Sequence, residues 1–103
     1  MRDHYWCQVD RRTCIVMRQN KAVALGLVQF AIFDTLHRVG NKRGRQMPSS
    51  KLCDEIYRGT RELGTLEAMR VAISGINRKL KHIGLRIRGN NHGVHSFYQI
   101  VIL

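Results

Sequence analysis

Apolar positions change their spacing twice along the chain, and each change marks a switch in the kind of element. In the first 25 residues, YWCQV and TCIVM are rich in aromatic and β-branched residues and are separated by Asp10-Arg11-Arg12, while Gln19-Asn20-Lys21 leads into AVAL. These pieces predict three short strands of a small antiparallel sheet. From Leu27 the period lengthens: Val28, Ala31, Ile32, Thr35, Leu36 and Val39 fall near one face, Phe30 and Phe33 widen it, and Gly40 supplies a stop. A basic, glycine-bearing loop, NKRGRQM, follows, and Pro48-Ser49-Ser50 opens a short second helix with a serine cap. That helix puts Leu52, Cys53, Ile56 and Tyr57 on one side and ends near Gly59.

The third helical stretch, LEAMRVAISGINRKLKHI, is the most regular. Leu66, Met69, Ile73, Ile76, Leu80 and Ile83 form a core stripe, with Thr65 as the cap and Gly84 as the stop. At about 100° per residue the opposite face carries Glu67, Val71, Ser74, Gly75 and Arg78, with Arg70, Asn77 and Lys81 on its shoulders. Beyond it, Leu85-Arg86-Ile87-Arg88 alternates apolar and basic, GNNHG has turn chemistry, and FYQIVIL reads as a strand. The predicted order is a small sheet, three helices and a two-stranded hairpin: an α+β chain organised as a single domain over residues 1–103.

Charge says what the open helix face would meet. The chain holds 18 Lys+Arg against 7 Asp+Glu, a formal net charge of +11. That excess points to a polyanionic partner, nucleic acid first and an anionic membrane surface second. Residues 1 to 40 carry 6 basic and 3 acidic side chains, residues 41 to 103 carry 12 and 4, and Glu67 is the last acid. Arg70, Arg78, Lys79, Lys81, Arg86 and Arg88 follow it with no acid to offset them.

Other chemistries find less support. Cys7, Cys14 and Cys53 are odd in number and lack Cys-x-x-Cys spacing, so they predict reduced thiols and no zinc knuckle. The start, MRDHYWCQVD, is too polar for a signal peptide, and no apolar run approaches the roughly 20 residues that span a bilayer. The expected location is the cytoplasm, on the nucleoid. His92 and His95 lie three apart and with His4 or Cys7 could hold a metal in principle, but solvated or nucleic-acid-contacting side chains of a hairpin explain them as well. Asp3, Asp10, Asp34 and Asp54 are scattered over different elements, so no paired carboxylates offer a magnesium site. GNNHG lacks the strand-to-helix setting of a phosphate loop. Neither an enzyme, a metal nor a cofactor is expected.

The ordered combination of AMRVAISGINRKL and LRIRGNNHGVHSFYQI resembles the end of the OmpR/PhoB-type winged helix-turn-helix effector domain. There a recognition helix precedes an Ile-Arg turn and a Tyr-containing strand, read here as Ile73, Ile76 and Leu80, then Ile87-Arg88-Gly89 and Phe97-Tyr98. The short N-terminal sheet, a first helix with Gln29-Phe30, and a second ending in Ile56-Tyr57 are similar too, so the likeness runs from about Tyr5 to Val101. It implies that the third helix enters the major groove of double-stranded DNA, with Val71, Ser74, Gly75 and Arg78 facing it, and that the wing and Arg88 reach the minor groove. Gly75, where the family often has a long basic residue, and the longer, polar wing GNNHGVHS depart from the pattern. The expectation is an effector domain without a receiver.

The chemistry of the face agrees with that implication. Arg78 can fork onto guanine, Asn77 can pair with adenine, Glu67 can accept from cytosine, and Val71 can rest on a thymine methyl, though an incidental exposed valine explains it equally. Arg70, Lys81, Arg86, Asn90, Asn91 and His92 complete the expected DNA surface, with Thr60, Thr65 and Lys79 on phosphates. The expected function is a sequence-preferring DNA-binding transcription regulator. Two alternatives stay open: an architectural, nucleoid-type protein with little base preference, and a winged-helix protein-interaction module. RNA polymerase or another protein, and a second copy on DNA, are the further partners considered.

Overall fold

The computed structural model describes residues 5–40, 46–57, 66–92 and 95–103. Three strands, β1 (Gln8–Asp10), β2 (Ile15–Arg18) and β3 (Lys21–Ala24), form an antiparallel sheet in that order. Val9, Val16 and Val23 stand opposite one another on its inner face, and Val16 is fully buried. Each strand is shorter or shifted relative to the apolar run that predicts it, because the turns claim the run ends. Asp10 accepts a hydrogen bond from the Arg12 amide at 2.9 Å, and Cys14 has φ 58°. Gln19 and Asn20, at φ 54° and 65°, form a two-residue turn closed by the pair Arg18 and Lys21. Positive φ at both central residues matches the right-handed twist of the strands it joins.

Helix α1 (Leu27–Gly40) buries Phe30, Ile32, Phe33 and Leu36, as its spacing predicts, whereas Val28 is exposed. Gln29, three residues after Gly26, folds its side chain back so that Oε1 accepts the Gly26 amide at 3.0 Å, half of a capping box. The helix is tied to the first sheet twice. Arg11 reaches Asp34 at 3.1 Å, and Tyr5 hydrogen-bonds Nδ1 of His37 at 2.8 Å while Phe33 stacks on the same imidazole. Tyr5, Cys7 and His37 all feel this burial. It raises the Tyr5 phenol, pushes the Cys7 thiol up to about 11 and lowers His37, with Arg11 adding to the lowering and Asp34 opposing it.

Met47, which the sequence places at the end of a loop, and Pro48, read there as the opening of the second helix, are a two-residue strand, β4 (Met47–Pro48), opposite Tyr98 and Phe97. Proline is tolerated there because the strand lies at a sheet edge. Helix α2 (Ser49–Tyr57) begins directly after it and buries Leu52 and Cys53. Helix α3 (Leu66–Leu80) then buries Met69, Ile73, Ile76 and Leu80. It stops three residues earlier than expected: Lys81–Ile83 tighten into a 3-10 turn, and Gly84 takes φ 74° to end it. Arg18 of β2 donates to the Ile83 carbonyl at 2.7 Å and closes that end.

Strands β5 (Leu85–His92) and β6 (His95–Ile102) complete a second sheet ordered β4-β6-β5. The expected hairpin is corrected here. GNNHG does not turn at Gly89; pairing continues through Asn90–Phe97 and Asn91–Ser96 to His92–His95. Gly89 survives inside the strand because Tyr98 lies across it, so close that a Cβ at residue 89 would sit 3.0 Å from the ring. One continuous core joins all these elements, from Tyr5 and Val16 through Phe33 and Leu52 to Leu80, Leu85, Ile87 and Ile100.

Candidate nucleic-acid interface

The outer face of α3 is built by the same period that builds its core. Glu67, Arg70, Val71, Ser74 and Arg78 are exposed, and the exposed Lys81 and His82 prolong the stripe into the 3-10 turn. Val71 is 65% exposed, an apolar side chain among polar ones. Arg70 pairs with Glu67 at 3.6 Å, one turn apart, and both are open to solvent. Such a pair is worth only about 0.5 kcal/mol or less. Among the described residues no carboxylate pairs with Arg78, Lys81, Arg86 or Arg88.

Three of the sequence-predicted contacts have other partners. The amide of Asn77 is committed to β5, where Nδ2 donates to the Ile87 carbonyl at 3.0 Å and Oδ1 accepts the Ile87 N–H at 2.7 Å. Strand β5 is the sheet edge, and these two bonds satisfy backbone groups that its neighbour does not reach. Asn77 therefore leaves the set of adenine readers. Lys79 donates to Oε1 of Gln29 at 2.9 Å, so its ammonium is drawn toward the start of α1. Gly75 is half-buried beneath that same side chain, and a Cβ there would meet Nε2 of Gln29 at 2.9 Å. The glycine answers to helix packing, and its absent side chain leaves room for Gln29.

On β5, Leu85 and Ile87 are buried while Arg86 and Arg88 are exposed on the other face, as the alternation predicts. Arg88, however, does not stand at the end of the strand. It pairs with buried Gln99, and four more residues run beyond it to His92, about 13 Å of strand. By register, Asn90, Asn91 and His92 are nearer the tip; their side chains lie outside the described residues, as do Thr60 and Thr65. Gln29 is the site residue that the sequence reading misses as such. Its capping-box distance from Gly26 is the local signal; its contacts with Gly75 and Lys79 are long-range and leave none.

Among the described residues no group of three His, Cys, Asp or Glu is placed to hold a metal ion, and no helix is long and apolar enough to cross a membrane.

A helix whose outer face is open and basic, clamped to a two-stranded hairpin and supported by two further helices, is the arrangement of a winged helix-turn-helix. Comparison with solved structures finds the same fold in the DNA-binding domain of the response regulator AdeR, whose crystal structure is a complex with an intercistronic region. The match has a TM-score of 0.65, covers 97% of this chain and 99% of that one, and has 15% sequence identity. The chain thus has the α+β winged-helix fold seen in that DNA-binding domain. No family model and no curated protein sequence matches it.

Proposed function

We propose that the protein binds double-stranded DNA as a transcription regulator, with α3 in the major groove and the β5–β6 hairpin against the neighbouring minor groove. The observation that carries this reading is the exposed α3 stripe. Arg70, Val71, Ser74, Arg78 and Lys81 share one open face, and three of the five are cations. The AdeR domain, seen with an intercistronic region, supports the reading through a shared fold. Arg78 is the leading base reader because a guanidinium can donate two parallel hydrogen bonds to guanine O6 and N7. Ser74 and Val71 offer a hydroxyl and an apolar contact beside it. Lys81, Arg70 and Arg86 supply phosphate contacts, and the hairpin brings Arg88 and, nearer its tip, Asn90, Asn91 and His92.

A second reading draws on Asn77. With that amide held by Ile87 and Glu67 facing Arg70, few base-reading groups remain, which favours an architectural protein that holds the backbone and discriminates weakly.

Salt dependence tests the proposal as a whole. With about 4 to 6 phosphates neutralised, log K for a duplex should fall against log salt with a slope of about −4 to −5. A duplex affinity that is flat between low and physiological salt would refute it.

A further inference from the structure

A second surface lies on the first sheet, and the reading of α3 does not use it. Tyr5 and Cys7 turn inward to His37, whereas Trp6 between them is 70% exposed. Gln8, Met17 and Ala22 form one cross-strand row on the same outer face, all exposed. With Arg18 and Lys21 they line, among the described residues, a groove of about 410 Å³ that has no acidic side chain in its wall. That volume suits a few side chains of a ligand. The Gln19-Asn20 turn forms one end of it.

We propose that this groove binds a peptide segment of a partner protein that carries an apolar side chain next to acidic ones. Exposed tryptophan and methionine are the residue types that anchor protein interfaces when a partner covers them. The charge is complementary to an acidic segment. It suits nucleic acid less well. Among the described residues only two cations, Arg18 and Lys21, line it, and one arm of Arg18 is drawn to the Ile83 carbonyl, whereas a nucleic-acid backbone calls for a row of cations. Apolar anchoring on Trp6 and Met17, with one carboxylate at Lys21, is the recognition the groove can perform.

Trp6 is the single tryptophan of the chain and reports its own occupancy by fluorescence. The full chain is titrated with three synthetic peptides of equal length, alternating leucine and glutamate, leucine and lysine, or serine and glutamate. The leucine–glutamate peptide should shift Trp6 emission to the blue and saturate, with the other two giving no saturable change. Lys21→Glu and Met17→Ser, both at exposed positions, should each weaken that binding about tenfold. Saturating duplex DNA should leave the peptide bound. The inference is overturned if the leucine–glutamate peptide does not move Trp6 emission, if Lys21→Glu binds it as tightly as the natural chain, or if duplex DNA or a single-stranded oligonucleotide displaces it. Because the groove is read independently of α3, failure of DNA binding would leave this result standing.

Discussion

Asn77 of α3 closes two hydrogen bonds on the backbone of Ile87, at 2.7 and 3.0 Å, and so fixes the helix to the edge of the hairpin that follows it. The relative placement of the two surfaces proposed to meet DNA rests on this side chain together with the core that α3 and β5 share. Asn77→Ala would leave the Ile87 N–H and C=O without protein partners, at a cost of about 2 to 3 kcal/mol in folding stability. Asn77→Asp keeps the acceptor and loses the donor, so it should fall between. Urea unfolding of the two variants checks the order; an Asn77→Ala chain as stable as the natural one would show that the clamp contributes nothing.

At residue 75 two effects oppose each other. Gly75→Ala removes about 1 kcal/mol of helix penalty, but the new Cβ pushes aside the Gln29 amide that holds both Gly26 and Lys79. Because the displaced atom ends a flexible side chain, the net change in stability should stay within about 1 kcal/mol. Gly75→Val, larger and β-branched, should cost about 2 kcal/mol or more. Thermal unfolding of both separates a packing role from a glycine without consequence, for which the two substitutions would differ only by helix propensity.

The burial of His37 makes stability depend on pH. Its folded-state value lies below the ordinary 6.5, chiefly through desolvation. The unfolded chain therefore binds the proton more readily, and this contribution to stability is present above about pH 6.5 and is lost as pH falls through the folded-state value. Between pH 7 and pH 5 the urea midpoint should drop, and His37→Gln should flatten that drop. Asp10, lowered by the Arg12 amide, titrates below 3.8 and outside this window. An equal loss in the variant would assign the pH dependence to other groups.

Much of this architecture is legible in the sequence, for a physical reason. A helix packed on a core repeats its contacts every 3.6 residues, so Met69, Ile73, Ile76 and Leu80 disclose α3, and the open face follows by rotation. Strand alternation likewise discloses which way Arg86 and Arg88 point. What stays hidden depends on partners distant in sequence. Met47 and Pro48 are too few to show a period and become a strand only by pairing with Tyr98 and Phe97. The residues GNNH favour a turn locally, yet Tyr98 across Gly89 keeps them in the ladder. Asn77 is chemically suited to a base or to a backbone, and nothing in its own stretch reveals that Ile87 takes it. Gly75 reads as a weak point of the helix until Gln29, 46 residues earlier, is found lying over it.

Arg78 carries the central claim, that α3 reads the major groove, and methylation interference on a duplex selected by the natural chain tests it most directly. Methyl groups are placed on guanine N7, in the major groove, or on adenine N3, in the minor groove. The account predicts that N7 methylation at one or two guanines of the selected site blocks binding. Arg78→Ala should lose about 1 to 3 kcal/mol on the unmodified site and become indifferent to the methyl at the guanine it no longer reads. Lys81→Ala should weaken selected and random duplexes alike and keep the interference pattern. Interference confined to adenine N3, or an Arg78→Ala chain that keeps the full N7 pattern, would contradict the placement of α3 in the major groove.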